Sequence, residues 1–127
     1  MKRDIRIIKY VLEEIEKIQQ SNRAFPIVFN ESDGYPVEQL NYHLSMIADA
    51  GFVDANIIKA KGPDNQLNMI KSITWQGHDL LDVLRNDKAM ELAEEKAEKE
   101  GSKLSDLPIE IAKALIIAST KKILGLE

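Results

Sequence analysis

Histidine and carboxylate side chains are the groups in this sequence that could bind a metal or transfer a proton. The chain has two histidines, His43 and His78, and no cysteine, so a zinc site would need both histidines and a carboxylate such as Asp79 or Asp82. No HExxH spacing, phosphate-binding loop, dinucleotide-binding loop or hydrolase serine motif is present. We therefore expect no metal, no cofactor and no enzymatic activity. We expect His43 to be a packing residue with one hydrogen-bonded nitrogen.

A second set of polar residues lies on a predicted central helix, from about Pro36 to Ala50. Apolar residues recur there at helical spacing, so the polar residues fall mainly on the opposite face. Asparagine and glutamine can bond adenine edges, and tyrosine can reach a phosphate. The helix contains no lysine or arginine, which argues against DNA because phosphate neutralisation supplies much of the affinity. The candidate base-facing residues are Gln39, Asn41 and Tyr42.

Positive charge is concentrated on a predicted β-hairpin, from about Phe52 to Thr74. Residues 56–72 contain three lysines and one aspartate, a local charge of +2. Such a wing could lie along a DNA backbone and neutralise phosphates. Lysines on an exposed hairpin also have a structural explanation, since their charge discourages edge-to-edge pairing. The candidate phosphate-binding residues are Lys59, Lys61 and Lys71.

Helix and strand signals position these candidates. The periodicity predicts a helix from about Lys2 to Gln19, ended by Ser21 and Asn22. A short strand over residues 25–29 is expected to pair with the hairpin, and residues 30–34 form a turn cluster. The basic start of the first helix opposes the helix dipole, so either packing stabilises the helix or its cations have another use.

Three further residues mark the ends of the hairpin. Gly51 stands where a left-handed cap is needed after the central helix. Thr74 has the character of an N-cap for the next helix, and Gly77 would let that helix approach the sheet closely. The hairpin turn itself is expected at residues 61–66, which are rich in turn-forming residues.

Two more helices are predicted near the C-terminus. Residues 88–100 have strong helix propensity and a thin apolar stripe, and the last helix runs from about Leu107 to Leu124. Its apolar face is too broad to remain in water, so it either folds back on the domain or packs against a second chain. The residues of this candidate homodimer interface are Ile109, Ala112, Ile116, Ser119 and Ile123.

The order of elements predicts an α+β fold of the winged-helix type. Residues 1–85 would form a winged-helix-like core, with a helix, a short strand, a helix, a β-hairpin wing and a helix. Residues 86–127 would form a C-terminal helical extension that packs on this core or on a second subunit.

The composition of the chain indicates in which cellular compartment the protein is expected. Lysine and arginine total 17 against 21 acidic residues, a net charge of −4 that is shared equally by residues 1–85 and 86–127. No apolar run approaches the length of a membrane span, and charges interrupt the N-terminus where a signal peptide needs an apolar stretch. The absence of cysteine is compatible with a reducing compartment. We expect a cytoplasmic protein with no membrane partner and no small-molecule substrate.

Four stretches of the chain resemble one family. MKRDIRIIKYVLEEIE, YPVEQLNYHLSMIADAGFV, ITWQGHDLLDVLRND and LPIEIAKALIIASTKKILGL occur in this order. Together they resemble the domain-of-unknown-function 2513 family, small proteins of bacteria and their prophages. The two middle stretches also resemble winged-helix regulators of the MarR or PadR kind. The resemblance implies a bacterial, phage-related protein, and the family name implies no reaction.

Two functions remain open on the sequence. The first is a DNA-binding transcriptional regulator, which requires a continuous positive surface joining the wing to the central helix, with help from Arg3 and Arg6. The second is a protein-protein interaction module on a degenerate winged-helix scaffold, which requires an exposed apolar patch, expected around Met46, Tyr42 or the last helix. The acidic charge and the turn in place of the short helix of a helix-turn-helix favour the second. The first function is favoured by analogy, because winged-helix domains commonly bind DNA.

Overall fold

The structure is a computed structural model that describes residues 2–19, 23–61 and 66–126. Within these residues the chain forms five α-helices and a three-stranded antiparallel sheet, which confirms the mixed α+β class. The elements are α1 (Ile5–Ile18), β1 (Phe25–Ile27), α2 (Val37–Asp49), β2 (Val53–Lys59), β3 (Gln66–Ile73), α3 (Trp75–Leu84), α4 (Asp87–Lys99) and α5 (Ile109–Leu124). One 3₁₀ turn, Glu31–Asp33, precedes α2, and another, Leu104–Asp106, precedes α5.

β3 is the central strand of the sheet, with β1 on one side and β2 on the other. This pairing confirms that the short strand joins the hairpin. Alternate residues of a strand point to opposite faces. Asn68 and Ile70 of β3 are fully buried against the helices, whereas Leu67, the residue before Asn68 in the same strand, is 39% exposed. The sheet therefore has one face covered by helices and one face open to solvent.

The helix α1 supplies the apolar stripe that its spacing predicts. Ile5, Ile8, Leu12 and Ile15 are all buried on one face of this helix. Asp4 caps its N-terminus, because the carboxylate accepts a hydrogen bond from the backbone nitrogen of the second helical residue at 2.9 Å. The predicted helix stop at residues 21–22 lies outside the described residues.

Both ends of the hairpin are formed as expected. Gly51 ends α2 with a φ of +86°, a left-handed conformation that favours glycine. The Thr74 hydroxyl accepts a hydrogen bond from the backbone nitrogen of Gly77 at 3.1 Å, which caps α3. A Cβ at Gly77 would lie 1.9 Å from the carbonyl oxygen of Phe52, so α3 begins in direct contact with the chain that leads into β2. The predicted hairpin turn falls largely on residues 62–65, outside the described residues.

The helices α4 and α5 extend the same core. Asn86 caps α4 by accepting a hydrogen bond from the backbone nitrogen of Ala89 at 3.0 Å. The buried residues of α4 and α5 belong to one apolar cluster with those of α1, α2 and α3. Among the described residues, no helix is long and apolar enough to cross a membrane.

The inner face of α5 corrects part of the predicted homodimer interface. Ala112, Ile116 and Ser119 are buried within the single chain, and the Ser119 hydroxyl donates a hydrogen bond to the Leu115 carbonyl at 2.9 Å. The prediction that these three residues meet a second chain is wrong, because α5 folds back and covers them. Ile109 packs partly against the core, and Ile123 is 40% exposed.

Candidate nucleic-acid interface

The outward face of α2 is polar but uncharged in its middle. Gln39, Ser45 and Met46 are partly exposed there, and Tyr42 is 39% exposed. This face can therefore offer hydrogen-bonding groups and one aromatic ring to a ligand. It carries no cation of its own, so any phosphate contacts must come from neighbouring segments.

Asn41 does not belong to this outward face. It is 3% exposed, and its side-chain oxygen accepts a hydrogen bond from the Asn68 amide of β3 at 3.2 Å. The same amide donates to the Ile27 carbonyl at 3.0 Å, and the Asn68 oxygen accepts from Gln66 at 2.7 Å. The prediction that Asn41 faces bases is wrong, because its amide is used to join α2 to the sheet.

The base of the wing is attached to α2 through a side chain of β3. The Gln66 amide donates to the Ser45 hydroxyl at 3.2 Å. Lys59 is the Cα partner of Gln66 in the ladder, and directly opposed residues of an antiparallel pair share a face. We therefore assign the exposed Lys59 to the α2 side of the sheet, the side from which Gln66 reaches Ser45.

The three predicted wing lysines do not share one surface. Lys71 is exposed and lies between the buried Ile70 and Ile73, at the point where the β2–β3 register shifts. The extra residue of this bulge lies on β3, and counting alternate residues from Leu67 and Met69 assigns Lys71 to the open face of the sheet. The prediction that Lys71 faces phosphates stays a prediction, and this assignment places it away from α2. Lys61 is exposed next to the undescribed tip of the hairpin.

Two cations before α1 lie against the other side of α2. Lys2 and Arg3 line a recess of about 640 Å³ together with Tyr42 and Met46 of α2 and the 3₁₀ turn that precedes α5. Both cations are exposed. The Lys2 amine lies 4.0 Å from the Asp106 carboxylate, and none of the salt bridges formed by the described residues involves Arg3. Sequence reasoning suggested Arg3 but missed Lys2, because only the packing of α1 on α2 brings them to Tyr42.

The remaining cations at the start of α1 are engaged inside the molecule. Arg6 bonds Glu94 of α4 at 2.8 Å, and Lys9 lies 3.3 Å from Asp87. The hydrogen bond and the charge of Glu94 raise the pKa of Arg6 above its ordinary value. Arg6 is therefore directed towards α4 and away from the recess formed by Lys2 and Arg3. The cations in the first turns of α1 oppose the helix dipole, and these ion pairs with α4 give them a role in packing the two helices together.

His43 is the buried histidine of the chain, as expected of a packing residue. It has no exposed surface, and both ring nitrogens are hydrogen-bonded rather than one. His78 is exposed on α3. Among the described residues, no group of three or more histidine, aspartate or glutamate side chains could hold a metal ion. The expected absence of metal and of catalysis stays a prediction.

The open face of the sheet forms a second candidate surface. Ile58 and Leu67 are Cα partners with 52% and 39% of their surface exposed. Val28, just past β1, is 66% exposed, and Met69 is half-buried in the next row of the same face. Contiguous exposed apolar residues of this kind commonly mark a protein contact. We call these four residues the apolar sheet patch.

Comparison with known proteins finds a family and a relative whose descriptions name no function. The family model with the description hypothetical protein (DUF2513) matches residues 2–103. A Haemophilus influenzae protein described as an uncharacterized protein is 32% identical over 88 residues, which are 68% of this chain and 70% of the relative. No solved structure matches the chain. The family match includes α1 to α4 and the sheet but not α5.

Proposed function

The chain belongs to the DUF2513 family, and we propose that it is a winged-helix-like protein that binds double-stranded DNA as a transcriptional regulator. The order α1, β1, α2, hairpin, α3 and the strand order β1-β3-β2 support the winged-helix reading. In this reading β2 and β3 are the wing and α2 is the helix presented to the DNA major groove. The phage-related setting rests on resemblance alone and stays a prediction.

One observation supports this function above the others: the wing, the outward face of α2 and the N-terminal cations lie side by side. Gln66 connects the wing to Ser45, and the recess connects Tyr42 to Arg3. Lys59 thus stands on one flank of α2 and Arg3 on the other. In the proposed complex Gln39 and Tyr42 reach groove or backbone groups, while the two flanks bind phosphates.

The number of cations limits how DNA binds. Lys2, Arg3, Lys59 and Lys61 are the cations proposed to meet phosphates, and the helix between them has none. Each neutralised phosphate contributes about −0.9 to the slope of log K against log salt concentration. Three or four contacts therefore give a slope of about −3 to −4. This slope is shallower than that of proteins which make six to ten contacts.

Fluorescence anisotropy tests the proposal directly. The full chain is titrated onto a labelled mixed-sequence duplex at several salt concentrations, from about 50 mM upward. We expect binding at low salt with a slope of about −3 to −4. The absence of binding at about 50 mM salt, where such contacts are strongest, would rule out the function.

A second candidate function, a protein-protein interaction module, is favoured by the apolar sheet patch. This patch faces away from α2, so the two functions would use opposite faces of one sheet. The variant Leu67→Ser makes the patch more polar and leaves the α2 side unchanged. DNA binding by Leu67→Ser at wild-type affinity is expected if the first function is correct. Weaker DNA binding by Leu67→Ser than by the wild type would contradict the assignment of the two functions to opposite faces of the sheet.

A further inference from the structure

The buried imidazole of His43 connects α2 to the residue that begins α1. Its Nε2 lies 2.8 Å from the backbone nitrogen of Asp4, and its Nδ1 lies 2.7 Å from the Gln39 carbonyl. Because a backbone N–H can only donate, Nε2 must accept, and the ring proton is on Nδ1, which donates to Gln39. His43 has no exposed surface, so neither bond can be exchanged readily for one to water. The ring therefore fixes where the chain enters α1.

The residues that this bond fixes are next to the candidate phosphate-binding side chains. Asp4 immediately follows Lys2 and Arg3, the two cations of the 640 Å³ recess. The ring of Tyr42, which lines the same recess, stands edge-on to His43 with ring centroids 5.5 Å apart. One hydrogen bond thus joins α2 to the residue that follows the two cations.

We propose that the recess formed by Lys2, Arg3 and Tyr42 is a binding site for a DNA backbone phosphate, and that His43 is the positioning residue that holds it together. This inference rests on the proposed function and assigns the phosphate site on the flank of α2 opposite the wing. Arg3 supplies a forked donor suited to phosphate oxygens, and Lys2 supplies a point charge. Tyr42 adds a hydroxyl that can donate to the same group.

Asp106 sets the strength of this site. Its carboxylate lies 4.0 Å from the Lys2 amine and lines the same recess. A phosphate that enters the recess meets repulsion from this carboxylate and competes with it for Lys2. The pair is exposed and therefore weak, so it reduces phosphate affinity only a few-fold. Removal of this charge is therefore expected to strengthen DNA binding.

Salt-dependent anisotropy on a set of variants tests the site. Arg3→Ala should make the salt slope shallower by about one, the signature of a lost phosphate contact. Asp106→Asn removes a negative charge from the same recess, and it should tighten binding by up to about fivefold. Both positions are exposed, so neither variant disturbs the core. Circular dichroism confirms that each protein is folded.

The role of His43 is tested in the same assay. His43→Leu removes the acceptor for the Asp4 N–H and should make the slope shallower by as much as Lys2→Ala/Arg3→Ala does. Added to that double variant, it should change the slope no further. His43→Gln, whose side chain can offer an acceptor to Asp4, should restore much of the wild-type slope. A purely structural role would lower stability in all backgrounds without this dependence on Lys2 and Arg3.

The outcomes separate this inference from the function it rests on. Wild-type protein that does not bind the duplex overturns both. Wild-type binding with an unchanged slope in Arg3→Ala overturns the phosphate site alone. A further loss of slope when His43→Leu is added to Lys2→Ala/Arg3→Ala overturns the positioning role of His43.

Discussion

Gly77 lies at the start of α3, where the fold leaves no room for a side chain. The first turn of α3 lies so close to the chain before β2 that a Cβ would also come within 2.6 Å of the Ile73 side chain. Backbone atoms cannot move aside as the end of a flexible side chain can. The position therefore requires glycine for space.

Gly77→Ala is expected to lower the free energy of unfolding by about 1–3 kcal/mol, the usual cost of overpacking. Urea denaturation followed by circular dichroism measures it. Gln76→Ala, at the neighbouring exposed position, is the control and should change stability by less than about 0.5 kcal/mol. Equal denaturation midpoints for Gly77→Ala and the wild type would show that α3 does not contact Phe52.

Tyr10 is the residue whose ionisation the fold changes most clearly. Burial, followed by the hydrogen bond that its hydroxyl donates to Asp33 at 2.8 Å, raises the pKa of Tyr10 to about 12. The fold therefore favours the neutral phenol. Its contribution to stability is complete below the ordinary tyrosine pKa of 10 and is lost as pH rises towards 12.

Titration of phenolate absorbance between pH 9 and about 12.5 measures this effect. Tyr10→Phe should remove the ionisation step near pH 12. A step near pH 12 that persists in Tyr10→Phe would contradict its assignment to Tyr10.

At the scale of elements, one buried amide network connects β1, β3 and α2. Asn68 donates to Ile27 of β1 and to Asn41 of α2, and it accepts from Gln66 within β3. No buried side-chain nitrogen or oxygen among the described residues lacks a partner. A fully satisfied network of this kind fixes the relative position of the elements it joins.

Asn68→Ala is expected to cost about 1–3 kcal/mol, because it leaves buried partners without a hydrogen bond. Asn41→Ala removes one of the same bonds, so the double variant should cost less than the sum of the single variants by at least about 0.5 kcal/mol. Thermal or urea unfolding of the three proteins provides the comparison. Strict additivity would contradict a shared network.

The elements with strong periodicity could be predicted from the sequence, and so could the pairing of the short strand with the hairpin, but the side-chain contacts between α2 and the sheet could not. The stripe of α1, the cap at Gly51 and the start of α3 at Thr74 follow from local signals. The burial of Asn41 depends on where β3 crosses α2, a contact between residues 27 positions apart. A polar residue at the edge of a helical stripe gives no local sign of such a partner. For this reason, the predicted site included an internal amide.

At the scale of the whole molecule, charge is distributed so that few cations remain for a ligand. The acidic helix α4 engages Arg6 and Lys9 of α1. The acidic composition argued against DNA binding, but it could not show which cations would form ion pairs inside the molecule. The side of the sheet from which each wing lysine projects also depends on register and on one bulge. These long-range pairings separate the proposed DNA-binding side from the open sheet face.

The central claim is that DNA is bound on the α2 side of the sheet and not on the open face. Charge reversal at two exposed lysines of the same hairpin tests it most directly. Lys59→Glu and Lys71→Glu make the same change in net charge, but strand pairing and alternation assign Lys59 to the α2 side of the sheet and Lys71 to the open face.

Duplex affinity of the two variants at low salt is the decisive measurement. The account predicts that Lys59→Glu lowers affinity at least about tenfold and makes the salt slope shallower, because it replaces a phosphate contact with repulsion. Lys71→Glu should change affinity only through the net charge, by about threefold or less. Equal losses in the two variants, or a larger loss in Lys71→Glu, would contradict the proposed interface.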